Sequence, residues 1–380
     1  MKNRERKRAV TVLLDGREVG TLAETVAHKY AFAYSREWLE CGFPISPFSL
    51  PLEDRVFVPA KAYFDGLFGV FADSLPDAWG QMLVDRMLEK HGRAPGSVSP
   101  LERLSIVGSS GMGALCYRPA QELGGSEAPD DLDALSEECR RLLNHEEVGA
   151  LDRLFSLGGS SGGARPKVMT EEWIIKFPAS RDDPNSGAME KAYMDCAAAC
   201  GIEVPETRLL PSQRCAGYFS TRRFDRERRA DGTMTRRHML TAAAILELDW
   251  RVPSLDYHAL MKLTKILCLD APDDLRQMYL RMCFNVFAHN RDDHAKNFTF
   301  IYDAAADRWR LSPAYDLTWS DTYYGEHTTT VDGNGRDPGL AEVVNVGVVA
   351  GLSRRKCQEL AGLVWERTAG LRERYGKIGR

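Results

Sequence analysis

The stretch His289-Asn-Arg-Asp-Asp-His-Ala-Lys-Asn297 and the later Ser312-Pro-Ala-Tyr-Asp316 form the densest group of polar side chains in the chain. Phosphoryl transfer needs a carboxylate that orients and deprotonates an attacking hydroxyl, and oxygen ligands that hold Mg²⁺ against the phosphates. Protein kinases carry these groups as an Asp, an Asn five residues later and a second Asp further along the chain. The pattern therefore predicts a kinase-like catalytic loop in which Asp292 or Asp293 is the base.

Two other interpretations of this stretch compete with the kinase one. Isolated polar residues of this kind usually form a turn with a capping Asp, but here three groups come in kinase order. His289 and His294 could also bind zinc together with Asp292. No third nitrogen or sulfur ligand stands at motif spacing, however, and oxygen ligands suit Mg²⁺ better. His294 is therefore expected to brace the loop.

A glycine-rich segment upstream supplies the other half of a kinase site. Gly158-Gly-Ser-Ser-Gly-Gly163 precedes two predicted strands, at 167–170 and 173–177, and Lys176 lies on the second of them. In kinases a glycine loop covers the ATP phosphates, a strand lysine contacts them, and a helix glutamate pairs with that lysine. Glu190, early in the next predicted helix, is the candidate partner. Taken alone, the glycines indicate a flexible linker and the lysine an edge-strand side chain, but the downstream motif favours the kinase interpretation.

An arginine-rich segment follows the small predicted sheet. Arg222-Arg-Phe-Asp-Arg226 ends the strand that would connect two kinase lobes, where kinases place the adenine. The segment 222–237 holds seven arginines against three acids. This excess of positive charge could serve an acidic substrate or a nucleic acid, or could belong to a solvated loop.

Composition excludes several other classes of protein. The 380 residues are 44% hydrophobic and 27% charged, the balance of an ordinary soluble globular protein. A net charge of -4 argues against whole-surface attraction to nucleic acid or to an acidic membrane. Nine cysteines without a CxxC pair indicate neither a disulfide framework nor a zinc ribbon, and they suit a reducing cytoplasm. No apolar run of about 18 residues is present, so no membrane span is expected.

Hydrophobic periodicity predicts a mixed chain of strands and helices in three parts. Strands are expected at 9–14, 19–22 and 30–34, within a first stretch of 70 residues that is β-rich, and the Gly124-Gly-Ser126 segment is a natural linker. The predicted fold class is α+β, with a bilobal, protein-kinase-like architecture. Its parts are a β-rich N-terminal subdomain with helices at 1–123, a small kinase lobe at 124–225 and a mostly helical kinase domain at 226–380.

In this order, the motifs resemble those of the HipA family, serine/threonine protein kinases that are toxins of type II toxin–antitoxin modules. The resemblance covers nearly the whole chain, and the catalytic segment is its most specific part. It rests on Ala164-Arg-Pro-Lys167, Ile175-Lys-Phe-Pro178, Arg223-Phe-Asp-Arg226, Asn290-x-Asp-x-His294-x-Lys-Asn297 and Ser312-Pro-Ala-Tyr-Asp316. Weaker matches are Leu13-Asp-Gly-Arg-Glu-Val-Gly20, Phe71-Ala-Asp-Ser-Leu-Pro76 and Gly113-Ala-Leu-x-Tyr-Arg-Pro119.

The resemblance implies a role for each matching residue, with ATP and Mg²⁺ as cofactors. It makes Asp292 the base, because this Asp stands two residues before the His and five before the Asn. It makes Asn297 and Asp316 the Mg²⁺ ligands. The residues that it implies around ATP are Lys176, with Glu190 as its partner, and Gly162, Gly163, Arg223, Phe224, His294 and Lys296.

The family inactivates itself by phosphorylating a serine of its glycine-rich loop, which ejects the loop. Spacing from Ala164 indicates Ser160 for this role. The chain departs from the family here, because Arg165 replaces the usual glutamine and the loop holds more glycine. Ser156 and Ser161 therefore stay open as alternatives. We expect the glycines to let this loop fold over the phosphates or lie outside at little cost.

The resemblance also implies a cytoplasmic function and a partner. The expected activity is growth inhibition by phosphorylation of a cytosolic protein, with an aminoacyl-tRNA synthetase among the family's substrates. The expected partner is a small helix-turn-helix antitoxin of the HipB type that binds operator DNA, so this chain would contact DNA only indirectly.

Two alternatives remain beside the toxin kinase. One is a kinase-fold binding subunit that acts as a co-repressor with a DNA-binding antitoxin. The other is a small-molecule phosphotransferase that uses the same Asp and Asn geometry. A pure scaffold has no chemical need for Lys176, Asp292, Asn297 and Asp316 together, so these four residues favour a kinase.

Overall fold

The computed structural model describes residues 8–61, 63–121, 131–179, 182–322 and 325–376. In the N-terminal sheet, a tight turn at Asp15-Gly16 joins the first two strands. Both turn residues have positive φ angles, 50° and 79°, as a type I′ hairpin turn requires. The three strands predicted before residue 35 are confirmed. The sheet has the antiparallel order β3-β2-β1-β4, formed by β1 (Ala9–Leu14), β2 (Arg17–Glu24), β3 (Tyr30–Tyr34) and β4 (Leu115–Arg118).

Helices and irregular chain follow β3, so the strands of the predicted β-rich stretch up to residue 70 lie in its first half. Ser35 directly after β3 accepts a hydrogen bond from the Trp38 N–H at 3.1 Å and so caps a helix. Further on, Ser99 and Glu102 form a capping box around Pro100, which starts another helix. The helices of this part are α1 (Arg36–Cys41), α2 (Gly69–Ala72), α3 (Ala78–Lys90) and α4 (Pro100–Val107), with 3₁₀ turns at Phe64–Gly66 and Pro95–Ser97.

A second antiparallel sheet carries the candidate lysine. Its order β5-β6-β8-β7 puts β6 in the interior, where Lys176 stands opposite Lys167 on one side and Phe219 on the other. The predicted linker at Gly124-Gly-Ser126 and the predicted boundary between residues 123 and 124 lie outside the described residues. The elements are α5 (Leu132–Leu143), α6 (Leu151–Gly158), β5 (Lys167–Met169), β6 (Trp173–Lys176), α7 (Ser186–Ala199), β7 (Thr207–Leu210) and β8 (Tyr218–Arg222).

The remaining chain is mostly helical, as predicted, with short strands between the helices. It begins with a hairpin of β9 (Arg226–Arg228) and β10 (Met234–Arg236), and a three-stranded sheet has the order β11-β13-β14. Within the described ranges, no helix is long and apolar enough to span a membrane. The further elements are β11 (Met239–Thr241), α8 (Ala242–Leu246), β12 (Leu255–Asp256), α9 (Tyr257–Leu267), α10 (Pro272–Phe287), β13 (Thr299–Asp303), β14 (Arg308–Leu311), β15 (Thr329–Thr330), α11 (Leu340–Val349), α12 (Arg354–Arg367) and α13 (Ala369–Tyr375).

Two buried clusters join these parts. The larger cluster runs from the N-terminal sheet through α7, α9 and α10 to α13, and Phe32, Tyr193 and Phe284 are among its members. The smaller cluster is built by α3, α5, α6 and the second sheet, with Trp79 and Ile175 among its members. Helix α3 of the N-terminal part therefore packs on the second sheet, which brings the beginning of this helix to the glycine-rich segment.

Candidate active site

Lys176 at the end of β6 is the centre of an ion-pair network. Its side chain is 13% exposed, and its Nζ donates to Glu190 Oε1 at 2.5 Å and also contacts Asp316 Oδ1. Glu190 lies on α7 and is buried. Asp316 follows β14 and has a left-handed backbone conformation with φ of 52°. The structure thus brings together the lysine, the helix glutamate and the second Asp of the sequence motif.

The charges of this network move its pKa values in opposite directions. Burial alone would lower the pKa of Lys176, but the carboxylates of Asp316 and Glu190 raise it above its ordinary value. Burial also disfavours the charged form of Asp316, yet Lys176 and Lys167 hold the pKa of this carboxyl down at about 2. Lys176 and Asp316 therefore both remain charged at neutral pH, as binding of phosphate and of a metal ion requires.

The loop after α10 holds the polar motif in a short turn. Residues Ala295–Asn297 form a 3₁₀ turn, and Asn297 Nδ2 donates to the Asp292 carbonyl oxygen at 2.7 Å. His294 Nε2 lies 3.7 Å from Asp292 Oδ1. The His294 ring also lies against Trp250, with 5.0 Å between ring centroids. These contacts gather Asp292, His294 and Asn297 in one turn.

The two adjacent carboxylates of this loop have different surroundings. Asp293 is buried, and its oxygens lie 2.9 Å from both the Tyr257 hydroxyl and His327 Nδ1 and accept from the Thr329 N–H at 3.0 Å. The side chain of Asp292, by contrast, is 56% exposed. The Asp293 carboxylate is thus engaged in hydrogen bonds within the fold, while the Asp292 carboxylate is exposed and accessible to a hydroxyl group.

The environment of Asp292 also moves its titration in the direction that a base needs. Partial burial is the largest cause that raises the pKa of Asp292 above its ordinary value; Asp316 and Asp293 act in the same direction, and His294 opposes them. A general base works best when its pKa approaches the operating pH. The direction of this shift therefore suits proton abstraction.

The glycine-rich segment is packed into the fold, and its expected movement to an outside position stays a prediction. Gly158 ends α6, and Ser156 lies inside that helix. Ser160 and Ser161 are 8% and 0% exposed, and their hydroxyls donate to the carbonyl oxygens of Ser110 and Gly158. The segment is packed because its hydroxyl groups form hydrogen bonds with backbone carbonyl oxygens. The glycine content of the sequence does not predict these hydrogen bonds.

Two further lysines belong to this site. Lys167 on β5 is buried, and its Nζ contacts a carbonyl oxygen of the glycine-rich segment. Burial and then the charge of Lys176 lower the pKa of Lys167 to about 8. Lys296 of the catalytic loop contacts Asp77, which also accepts from the Gly163 N–H at 3.0 Å. The glycine-rich segment therefore lies next to two lysine side chains and one carboxylate.

The two candidate adenine residues differ in their availability. Arg223 is 5% exposed, and its guanidinium is committed to the Asp225 carboxylate and to two backbone carbonyls. Arg226 binds the same carboxylate at 2.6 Å. Phe224 is half-buried, with its ring 5.4 Å from that of Tyr315. The arginine-rich segment 222–237 therefore forms a buried ion cluster and a hairpin where a solvated loop was one of the expectations.

The oxygen donors of the site fit Mg²⁺ in their chemistry. Asn297 and Asp316 offer an amide and a carboxylate oxygen, the hard donors that Mg²⁺ prefers when phosphates complete its coordination shell. In the part of the chain that the structure describes, no group of three or more His, Cys, Asp or Glu side chains is arranged to hold a metal ion by itself. A metal bound through these two residues would take its remaining ligands from phosphate oxygens or water.

Asp77 and Lys167 are members of this site that sequence reasoning missed. Lys167 stands in the motif Ala164-Arg-Pro-Lys167 but was given no role there. A cation in a predicted apolar strand was the available signal for it, as it was for Lys176. Asp77 directly follows Phe71-Ala-Asp-Ser-Leu-Pro76, and only its position next to this motif could have drawn attention to it. Its contact with Lys296 spans 219 residues of chain, which no local pattern indicates.

Two protein-family models match the chain. Residues 159–370 match the family model described as the HipA-like C-terminal domain, and residues 10–118 match the HipA N-terminal domain. Two putative kinases of Sinorhizobium fredii (strain NBRC 101917 / NGR234), Y4dM and Y4mE, are each 26% identical to the chain over 351 and 353 residues. These alignments cover 85% and 83% of this chain and 81% and 78% of the relatives.

A solved structure shares the fold. It is HipA of Shewanella oneidensis MR-1, from a complex with HipB and operator DNA, with a TM-score of 0.70 and 18% identity. The match covers 96% of this chain and 90% of that one. The α+β, kinase-like architecture expected from the sequence is therefore confirmed.

Proposed function

The chain belongs to the HipA family, since the C-terminal family model matches more than half of it, and on this premise we propose that it is an ATP- and Mg²⁺-dependent serine/threonine protein kinase. The observation that carries the proposal is the Lys176 network. One lysine is held between a helix glutamate and Asp316, while Asp292 is open nearby and Asp293 is occupied. A kinase needs this combination of charges.

The proposed chemistry assigns one task to each side chain. The oxygen of a serine or threonine hydroxyl forms a bond to the γ-phosphorus of ATP, the bond from that phosphorus to the β–γ bridging oxygen breaks, and ADP leaves. Asp292 accepts the hydroxyl proton. Lys176 binds ATP phosphates. Asn297 and Asp316 would hold Mg²⁺, which when bound neutralises phosphate charge.

Incubation with labelled ATP and Mg²⁺, alone and with a cytosolic extract, tests the activity. We expect label on serine or threonine of protein, and its loss in Lys176→Met. Label found only in small molecules would favour a phosphotransferase of another class. Absence of any transfer by a folded protein that binds ATP would favour a binding subunit.

The same premise supports a place in a toxin–antitoxin module. The Shewanella HipA was solved with HipB and operator DNA, and we extend this to a helix-turn-helix partner of the HipB type, through which this chain would act on DNA indirectly. Growth inhibition in the cytoplasm, with an aminoacyl-tRNA synthetase as one candidate substrate, completes the proposal. Co-purification of the chain with the product of a neighbouring helix-turn-helix gene, and relief of growth arrest by it, test the partner.

Self-inactivation through Ser160 is part of the proposal and demands movement of the loop. The Ser160 side chain is buried, and its hydroxyl donates to the Ser110 carbonyl oxygen at 2.9 Å. Phosphate would add about -1.5 to -2 charges to this site, so the packed state could not persist. Mass spectrometry after incubation with Mg-ATP should find phosphate on Ser160; phosphate on Ser156 or Ser161 alone would reassign the switch.

A further inference from the structure

Asp77 stands at the N-cap position of α3, but its carboxylate does not cap that helix. An Asp at this position ordinarily accepts a hydrogen bond from the second or third N–H of the helix. Here Oδ2 accepts from the Gly163 N–H at 3.0 Å, and Oδ1 contacts Lys296 Nζ. The carboxylate therefore joins the glycine-rich segment to the catalytic loop.

The backbone at the beginning of α3 adds to this connection. The Asp77 N–H donates to the Ser161 carbonyl oxygen, and the Trp79 N–H donates to the Gly163 carbonyl oxygen, both at 3.2 Å. Gly80 permits the close approach, because a Cβ at this residue would lie 2.7 Å from the Ser161 oxygen. The N-terminal part thus holds the glycine-rich segment through both its backbone and one carboxylate.

We propose that Asp77 is a positioning residue of the phosphotransfer site, an anion that holds Lys296 and the Gly163 N–H until nucleotide phosphates take them over. The inference rests on the proposed function, and it adds that the nucleotide phosphates reach these two donors. The N–H of Gly163 has one hydrogen, so a phosphate oxygen and the Asp77 carboxylate compete for it. Two anions next to Lys296 also repel each other. Phosphate binding therefore displaces the carboxylate.

Displacement of the Asp77 carboxylate weakens the hold of the N-terminal part on the glycine-rich segment. The released carboxylate can cap α3, as its position allows, which offsets part of the lost contact. The glycine-rich segment then keeps its backbone bonds to α3 but loses the bridge to the catalytic loop. One restraint on the segment that carries Ser160 is removed when a nucleotide arrives.

Asp77→Asn tests the competition, because it removes the negative charge and keeps the shape. The matched control is Asp85→Asn, which removes a second carboxylate of α3, one that pairs with Arg103 at 2.8 Å. Hydrogen exchange of peptides covering residues 159–167, measured without nucleotide, reports how strongly the glycine-rich segment is held in place. Calorimetric titration with a non-hydrolysable ATP analogue and Mg²⁺, and with adenosine, separates phosphate binding from adenine binding.

In Asp77→Asn we expect faster exchange of the segment, about two- to fivefold tighter binding of the ATP analogue, and unchanged adenosine binding. Asp85→Asn should behave like the wild-type chain in all three. Unchanged or weaker analogue binding by a folded Asp77→Asn protein would overturn the inference, as would an equal gain for adenosine. Failure of the wild-type chain to bind the analogue would overturn the proposed function and this inference with it, and the wild-type titration identifies that case.

Discussion

Asp292 and Asp293 are neighbours in one loop, and their different surroundings allow a paired experiment. Asp292→Asn should leave ATP binding nearly intact while it lowers phosphoryl transfer by about 10²–10⁴, the usual contribution of a general base. Single-turnover transfer of labelled phosphate, with a separate titration of ATP affinity, measures both effects. An Asp292→Asn protein with normal transfer would refute the assignment of the base.

Asp293→Asn is expected to act mainly on stability. The substitution replaces one carboxylate oxygen by an NH₂ group. Either the Thr329 N–H, which Oδ1 accepts, or the Tyr257 hydroxyl and His327, which contact Oδ2, therefore lose their acceptor in a buried site. We expect the free energy of unfolding to fall by about 1–3 kcal/mol, measured by urea denaturation. Loss of transfer in Asp293→Asn without loss of stability would exchange the two roles.

Asp316 should make stability depend on pH at the acidic end. Its pKa of about 2 lies below its ordinary value of 3.8 because of Lys176 and Lys167, although burial acts against this. A carboxyl with a lowered pKa stabilises the fold above its unfolded pKa, and this contribution is lost as the pH falls from about 4 toward 2. Urea denaturation at pH 5, 4 and 3 should show a steeper loss for the wild-type chain than for Asp316→Asn. Parallel losses would contradict the lowered pKa.

The connection after β8 depends on one buried carboxylate. Asp225 is fully buried between the guanidinium groups of Arg223 and Arg226, at 2.9 and 2.6 Å. Asp225→Asn leaves two buried cations without their counter-charge, which should cost about 3–5 kcal/mol of unfolding free energy. Asp231→Asn, in the exposed turn of the following hairpin, is the control and should change stability far less. Similar losses of unfolding free energy for both variants would show that the ion cluster does not stabilise this part of the fold.

Local signals predicted some elements of the site, and contacts distant in sequence supplied the others. The catalytic loop, Lys176 and Glu190 could be found because each stands in a short motif or a periodic element. The burial of Ser160 could not be predicted, since its partner Ser110 lies 50 residues away. The neighbouring glycines indicate backbone flexibility, and they give no information on packing. For the same reason the arginine-rich segment gave no sign that Asp225 also accepts from the Gly113 N–H.

On the scale of the whole molecule, the larger core cluster is continuous from the N-terminal sheet to α13, so a ligand in the site should stabilise the entire chain. A non-hydrolysable ATP analogue with Mg²⁺ at about 100 times its Kd adds roughly 2.7 kcal/mol to the free energy of unfolding. We expect a rise of a few degrees in Tm by calorimetry, and loss of this rise in Lys176→Met.

The control for this measurement is Lys191→Met. Lys191 lies on α7 and pairs with Asp195 at 2.6 Å, so the substitution removes a lysine charge close to the site in sequence without touching the network. Its Tm should rise with the analogue as much as that of the wild-type chain. An unchanged shift in Lys176→Met would mean that the lysine does not bind the phosphates.

The smaller core cluster has a consequence for how this chain can be recombined with its relatives. Trp79 and Leu83 come from the N-terminal family region, while Leu154, Val168 and Ile175 come from beyond it, yet all five are packed together. A chimera that takes only residues 1–118 from a relative would therefore pack the relative's version of α3 against the α6 and second-sheet residues of this chain. Cavities or steric overlaps in such a core cost several kcal/mol of unfolding free energy. The N-terminal region and the region beyond it should therefore be exchanged together. Because they share one core, a substitution in one region selects for a compensating substitution in the other.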